Sequence, residues 1–543
     1  MNDQVAEVVK NVFGLDVEVV LTRPEAHFGD YATNLALQIS KQLGKTPRDI
    51  ATQIVEKLRD VEDFSEVTVA GPGFINIRLH NVALIRQVYA RPAQSRAGTT
   101  VVIETNNPNP FKAMHIGHAY NAILGDTMAN LLSVNGADVK RVSYHGDVGA
   151  HVGKSMWAIL KETEGDITRL ENIPDDQRNQ FMSRMYAAGS KAAKEDEVAK
   201  KEIDELAKQS FKLDDPQFTA IYELCADWSY RQIDALVAKL GNVPTVRRYV
   251  ESETETLGKQ LITDNTPGVF TLSDGAYIFE GSRYGSFDNA YIASSGNGLY
   301  GAHDMGLVQL KYNDFPAMSE CIIVTGNEQA DYFKGVSAAV GLAIPALKDK
   351  VVNYPTGLVK LSTGKMSSRS GDVLEIGWLF DEFKKAVASR GGEPIDEIVA
   401  GALRYQFLKA KIGGDVIFDV NEAVSLTGNT GSYLQYAHAR ARSILGKTEH
   451  AFEMPRDLYD EDRMLVRKLT EYHEVVNVAT RTLEPHHICT YLFELAQEFN
   501  RYYEKNYVIG DEKEAHRVGI VALYADILKA GLTILGIHAP EKM

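Results

Sequence analysis

The sequence predicts a multidomain α/β protein: a central doubly wound parallel sheet, an N-terminal α+β domain ahead of it and a C-terminal all-α bundle behind it. Three observations carry that expectation. The chain has 543 residues, and at about 150 per domain that length calls for three or four domains. From Val101 the run VVIET is of fully buried strand type, and a Pro/Asn turn, a helical stripe and the strand VKRVSYHG follow it, which makes one parallel βαβ unit. The last stretch of roughly 125 residues is helical in period almost throughout, as a bundle requires.

In chain order, residues 1–95 form the first unit. It opens on a helix-like segment, and Leu35, Leu37, Ile39 and Leu43 then mark an amphipathic helix closed by Gly44. A helix over Pro47–Leu58 and two strands, VTVAG and FINIRL, around Gly71-Pro72-Gly73 complete it. The segment ARPAQSRAGTT, poor in apolar residues, reads as a linker. The second unit, 96–415, holds the βαβ motif, whose helix starts near Ile116, carries Ile123, Leu124, Met128, Leu131 and Leu132 on one stripe, and stops at Gly136. A charged, helical insertion is expected over about 165–298. The strand ECIIVTG (Glu320–Gly326) with a helix near Asp331–Leu342 supplies the other half of the sheet. Residues 416–543 are the helical bundle.

Composition narrows the setting. Cys225, Cys321 and Cys489 are too far apart for a CxxC pair, and a sparse odd set fits a reducing compartment. No basic segment precedes an apolar one at the N-terminus, and no uninterrupted apolar run reaches about 18 residues, so a cytoplasmic location and no membrane partner are expected. Lys+Arg 58 against Asp+Glu 73 leaves a net charge of −15. That argues against a partner held by a continuous basic surface, but not against a local basic track.

The sharpest local motif is Met114-His115-Ile116-Gly117-His118, between the buried strand and the helix. Two imidazoles there can hydrogen-bond phosphate oxygens, Gly117 lets a nucleotide approach the backbone, and the helix N-terminus favours an anion. Read as a metal pair, histidines at i and i+3 without a third ligand make a poor zinc site, so no metal centre is expected. The second motif, Leu361 to Gly371, is a small-residue loop carrying Lys365, Met366, Ser367, Ser368 and Arg369. A lysine there suits the charge that grows on oxygen during phosphoryl or nucleotidyl transfer; the alternative is an exposed polar loop.

HxGH followed by KMSxx resembles a class I aminoacyl-tRNA synthetase. ETNNPNPFKAMHIGH, FGDYATN, AGPGFINIRL, GSYLQYAHAR and the ending GLTILGIHAPEKM are similar to the arginyl family over essentially the whole chain. That resemblance implies a Rossmann-like (HUP-type) catalytic domain, an additional N-terminal tRNA-binding domain and a C-terminal anticodon-binding domain. It also implies an ATP-dependent ligase for L-arginine and tRNA(Arg), with ATP and Mg2+ as a substrate complex, no tightly bound cofactor, a monomeric state, and adenylation that needs bound tRNA. His115, His118, Lys365 and Lys112 fall at catalytic positions; Gly117, Gly326, Met366 and Ser367 join His115, His118 and Lys365 around ATP; Glu104, Asn109, Tyr300, Asp304 and Gln329 fall at arginine-contacting positions. A guanidinium calls for carboxylates and an aromatic wall, and Tyr300 and Asp304 lie one helical turn apart. Taken singly, Glu104 is equally a strand-end surface charge and Tyr300 a half-buried aromatic.

Departures from the family pattern are Ser368 where a second lysine is usual, for which Lys112 resembles a substitute, Ala113 before the HIGH run, the segment His145 to His151 without its tryptophan, and His303 for the usual arginine. Tyr433, Tyr436 and Arg440 on one helical face, with Met543, are candidates for tRNA contact, and the tyrosines fit a helical core equally well. The FGDYATN and GFINI segments are expected to approach the tRNA elbow. A non-catalytic tRNA-binding protein and a simple nucleotidylyltransferase are the competing functions.

Overall fold

The computed structural model describes residues 1–362, 374–391, 395–449 and 455–543. The N-terminal unit packs helices Asn2–Phe13, Leu35–Leu43 and Pro47–Leu58 on an antiparallel sheet of β1 (Tyr31–Thr33), β2 (Phe64–Ala70) and β3 (Phe74–Leu79), in the order β1-β3-β2. Thr46 caps the third helix through Asp49 N–H and Pro47 pre-sets its first turn. The segment read as a linker is tied down: Arg96 N–H donates to Asn135 O at 2.9 Å, Ala93 N–H to Asn477 Oδ1 at 3.2 Å, and the Arg96 guanidinium pairs with Glu320 at 3.2 Å.

The central sheet holds β4 (Thr100–Asn106), β5 (Asp138–His145), β6 (Arg247–Val250), β10 (Met318–Gly326) and β11 (Val351–Thr356) in the order β11-β10-β4-β5-β6, with every pairing parallel. The chain winds outward from β4 through β5 to β6, then returns to the other side of β4 with β10 and β11. The switch between β4 and β10 opens a crevice at the carboxyl ends of those strands. Helix α1 (Ile116–Val134) makes the first crossover. It lies close on β4: a Cβ at Gly125 would stand 2.9 Å from Glu104 O and 3.0 Å from Thr105 Cα. Val101, Val102 and Ile103 are fully buried, which explains the uninterrupted apolar run.

The insertion differs from its expected span. Between β5 and β6 the helices run from Ala150 to Lys239 around Met156, Phe181, Ile221 and Trp228. By Arg247 the chain is back in the central sheet, and β7 (Thr271–Ser273), β8 (Ala276–Phe279) and β9 (Asn289–Ile292) form a separate antiparallel sheet. The four-residue β6 is too short to show a period in sequence. Helices α2 (Tyr300–Asp314) and α3 (Ala330–Ala343) flank β10 in sequence, and the C-terminal part is built from α4 (Asp396–Leu408), α5 (Gly431–Leu445), α6 (His486–Lys505) and α7 (Glu514–Ile534) with shorter helices between.

Two arginines, Arg404 fully buried and Arg463 half-buried, bind the parts together. Arg404 of α4 donates to Leu535 O, Leu240 O, Asn242 Oδ1 and Asp126 Oδ2 at 2.6, 2.9, 2.8 and 2.8 Å. Arg463 reaches Asp30 Oδ2 and Asn81 Oδ1 of the N-terminal unit, both at 2.6 Å.

Candidate active site

The crevice is a cavity of about 820 Å³ over the ends of β4 and β10. His115, the N-cap of α1, and His118 at its third position form a reciprocal cap: Nδ1 of His118 accepts from the His115 N–H at 3.2 Å, and the His115 side chain accepts from the His118 N–H. The rings stack 3.6 Å apart at 23°. Burial, then the Lys112 ammonium, pushes His115 down to about 4; burial, then His115, Lys112 and His145, holds His118 well below the usual histidine range. Both rings are neutral at pH 7, and with Nδ1 accepting, His118 carries its proton on Nε2 as a donor for an anionic oxygen. Gly117 stands under this pair: a Cβ there would meet Cε1 and Nδ1 of His115 at 3.2 Å. Ile116 N–H donates to Leu374 O at 2.9 Å and Ile376 N–H to Met114 O at 3.1 Å, so the chain resuming at Leu374 is paired to this corner.

The opposite wall is acidic. Glu104, Asp304 and Glu251 all line the cavity. Asp304 accepts from Tyr332 Oη, and burial together with Glu104 pushes its carboxyl up to about 7. Glu251 is raised to about 7 by burial, with Asp147, Asp304 and Glu255 adding to it. Glu104 is different: one carboxylate oxygen is paired with the buried Lys311 ammonium and the other accepts from Asn107 Nδ2. Glu104, expected by resemblance at an arginine-contacting position, lines the cavity with both its oxygens already engaged.

Of the other expected site residues, Asn109 lines the cavity and its Oδ1 accepts from Gly146 N–H at 2.9 Å. Tyr300 opens α2 at the rim, 78% exposed, and Gly326 ends β10 beside the exposed Gln329. Lys112 stands beside the two imidazoles, its ammonium 6.0 Å over the Tyr186 ring. Lys365, Met366, Ser367, Ser368 and Arg369 lie outside the described residues. Asp147 accepts from Ser252 N–H at 2.9 Å and Ser252 Oγ at 2.7 Å, while His145 Nδ1 bonds Pro108 O at 2.5 Å, so both brace backbone. His303 faces Glu251 at 3.8 Å and Thr254 Oγ1 at 2.9 Å.

Sequence reasoning missed Glu251, Tyr332, Tyr144 and Lys311. Glu251 follows a four-residue strand, and Lys311 could have been found from the α2 spacing, since it continues the stripe of Tyr300, Asp304 and Leu307.

The anticodon-side candidates do not share one exposed face. Tyr433 is half-buried, accepts from Asn500 Nδ2 at 2.8 Å and meets Phe493 edge-on; the Arg440 guanidinium lies 4.7 Å over Tyr503. Tyr436 and Met543 are exposed, at 38% and 51%. Helix α5 packs against α4 and α7, so part of the expected platform is core. Among the described residues no helix is long and apolar enough to cross a membrane.

A doubly wound sheet with this histidine corner, matched over residues 80–413 by the family described as tRNA synthetases class I (R), catalytic domain, makes the chain a class I tRNA synthetase. Residues 1–79 match the arginyl tRNA synthetase N terminal domain and 434–543 the DALR anticodon binding domain. The chain belongs to the arginyl-tRNA synthetase family. The arginine–tRNA ligase of Rippkaea orientalis is 30% identical over 97% of this chain and 95% of its own length, and that of Porphyromonas gingivalis 27% over 100% and 99%. Thermus thermophilus arginyl-tRNA synthetase shares the fold at a TM-score of 0.83 with 24% identity, covering 100% of this chain and 99% of that one. A Mycobacterium tuberculosis methionyl-tRNA synthetase shares it at 0.52 with 13% identity, covering 82% and 92%.

Proposed function

We propose that this chain carries out the reaction of its family, ligation of arginine to tRNA, and that arginine and ATP meet in the cavity over β4 and β10. The observation that carries the assignment is the pair Asp304 and Glu251. Both are half-buried carboxylates facing one cavity, and among the described residues neither is ion-paired with a lysine or arginine. A cationic side chain entering from solvent supplies the missing charge.

The reaction divides between the two walls. Arginine's carboxylate attacks the α-phosphorus of ATP in line, giving arginyl-adenylate and pyrophosphate, and a ribose hydroxyl of the terminal adenosine of tRNA(Arg) then takes the arginyl group. On the acidic side Asp304, Glu251, Asn109, Tyr300 and Gln329 hold arginine. On the other, the neutral His115 and His118 donate hydrogen bonds to phosphate oxygens, with Gly117 and Gly326 giving the nucleotide close approach to backbone. Lys112 beside the imidazoles, and from the sequence Lys365, Met366 and Ser367, meet the charge that develops on pyrophosphate; ATP enters with its Mg2+ as substrate. The work is positioning and electrostatics, without a covalent enzyme intermediate. Residues 1–95 and 416–543 bind tRNA around the catalytic unit at 96–415 in this reading, with Tyr436, Arg440, Tyr433 and Met543 on the anticodon side. A cytoplasmic monomer completes it, and the three free, buried cysteines fit a reducing compartment.

Exchange of labelled pyrophosphate into ATP, run with arginine in the presence and absence of tRNA, is the test. Exchange that requires both is expected. Exchange without arginine would point to a simple nucleotidylyltransferase, and none under any condition to a non-catalytic protein.

A further inference from the structure

One face of α2 turns toward the sheet, and Tyr300, Asp304, Leu307 and Lys311 stand on it a turn apart. The first three line the cavity. Lys311 lies one turn deeper, fully buried, paired with Glu104 and with Cys321 Sγ 3.9 Å from its Nζ. Both oxygens of Glu104 are thus engaged, by Lys311 and Asn107, before any substrate enters. Asp304 has the Tyr332 hydroxyl, and the nearest basic group to Glu251 is the His303 ring at 3.8 Å.

We propose that Lys311 is a specificity-determining residue of the arginine pocket: a resident cation that cancels Glu104 from beneath and leaves Asp304 and Glu251 to receive the two cationic groups of arginine. With all three ionised, three carboxylates and one ammonium leave two negative charges in the cavity, which matches a guanidinium and an α-ammonium. Without Lys311, three carboxylates would share one low-dielectric cavity, and they would take up protons rather than all stay ionised. The groups that face Asp304 are Glu104 from β4, Tyr144 from β5, Glu251 after β6, Tyr291 from β9, Tyr332 from α3 and Lys311 from its own helix. Of these, Lys311 alone is positive, and it favours the ionised form of Asp304.

The inference rests on reading the cavity as the arginine site, so the experiment is arginine binding to the full chain by calorimetry from pH 6 to 9. It compares wild type with Lys311→Met, Glu104→Gln and the double variant. Lys311→Met is expected to raise the midpoint of the binding profile by about one pH unit, hence about tenfold weaker binding near pH 7 that recovers to within about threefold at pH 9. Glu104→Gln, which leaves the ammonium uncancelled, lowers the midpoint by a similar amount, and the double variant returns it to the wild-type position. Should Lys311→Met fail to fold, the last two variants decide. A loss in Lys311→Met that is equal at every pH marks a merely structural lysine and overturns the proposal, as do unmoved midpoints in the variants. Failure of the wild-type chain to bind arginine at any pH overturns the reading of the cavity, and this inference with it.

Discussion

Asp30 of FGDYATN decides what holds the N-terminal unit in place. It is 2% exposed; its Oδ2 accepts from Leu79 N–H at 2.7 Å and from Arg463 Nη2 at 2.6 Å, and Arg467 Nε lies 3.6 Å from Oδ1. By resemblance this segment approaches the tRNA elbow; within it, the structure turns the Asp30 carboxylate inward onto the helix Arg463–Thr470 of the C-terminal part. Removing one partner of a buried ion pair costs about 3–5 kcal/mol, because the remaining charge stays buried and unpaired. Asp30→Ala is expected at the lower end of that range, since Arg463 keeps Asn81 Oδ1 and Leu79 O as acceptors. At about 3 kcal/mol the population with the N-terminal unit undocked rises on the order of a hundredfold. Chymotrypsin cleavage after the exposed Tyr89, where the N-terminal unit runs into the joining segment, reads that population when opening and closing are fast relative to cleavage. A hundredfold faster cut is expected, and Asp30→Leu combined with Arg463→Met should recover most of the loss. An acceleration below about threefold in Asp30→Ala would refute the latch and return the segment to a purely RNA-facing role.

Five further outcomes are expected. Asp304 and Glu251 are both raised to about 7, so each is ionised above that pH and protonated below it. Arginine affinity should fall about tenfold from pH 8 to pH 6 for one such group and up to about a hundredfold for both, with Asp304→Asn flattening the profile and weakening arginine far more than ATP in steady-state kinetics. Because these pKa values lie above those of an unfolded chain, the same carboxyls make the ligand-free fold less stable as pH rises from about 4 to about 7, which urea titrations can follow. Gly117→Ala forces the His115 ring to give way, from a Cβ contact of 3.2 Å, and should raise the ATP Michaelis constant more than that of arginine. Lys365→Ala, argued from the sequence, should lower aminoacylation by about a hundredfold or more, as loss of one transition-state charge contact does. Residues 431–543 hold 14 Lys+Arg against 17 Asp+Glu, so a modest dependence of tRNA affinity on salt is expected; a slope implying ten or more neutralised phosphates would contradict it.

What the sequence made legible is what depends on neighbours in the chain. His115, Gly117 and His118 sit between a buried apolar run and an amphipathic helix, and strand-to-helix geometry alone puts them at a sheet's carboxyl end beside a helix N-terminus. Tyr300 and Asp304 were readable for the same reason, being one turn apart. The acidic wall was only half legible, because its sign depends on pairs that close across the fold. Glu104 and Lys311 are 207 positions apart and meet only when β4 lies against α2. A carboxylate identified by type and spacing says nothing of whether a cation already holds it. Glu251 was hidden for the converse reason: nothing local marks it, and its weight comes from burial against Asp147 and Asp304, contributed by other strands and helices. The aromatic face of α5 depends on its neighbours in a third way, since Tyr433 and Arg440 have the spacing of a platform and also meet Asn500 and Tyr503 of α6. Spacing places groups on one element; whether a group is free to act is settled by the element packed against it. Two sites with similar local sequence can therefore differ in charge, and the resident lysine beneath Glu104 is where this chain sets the difference.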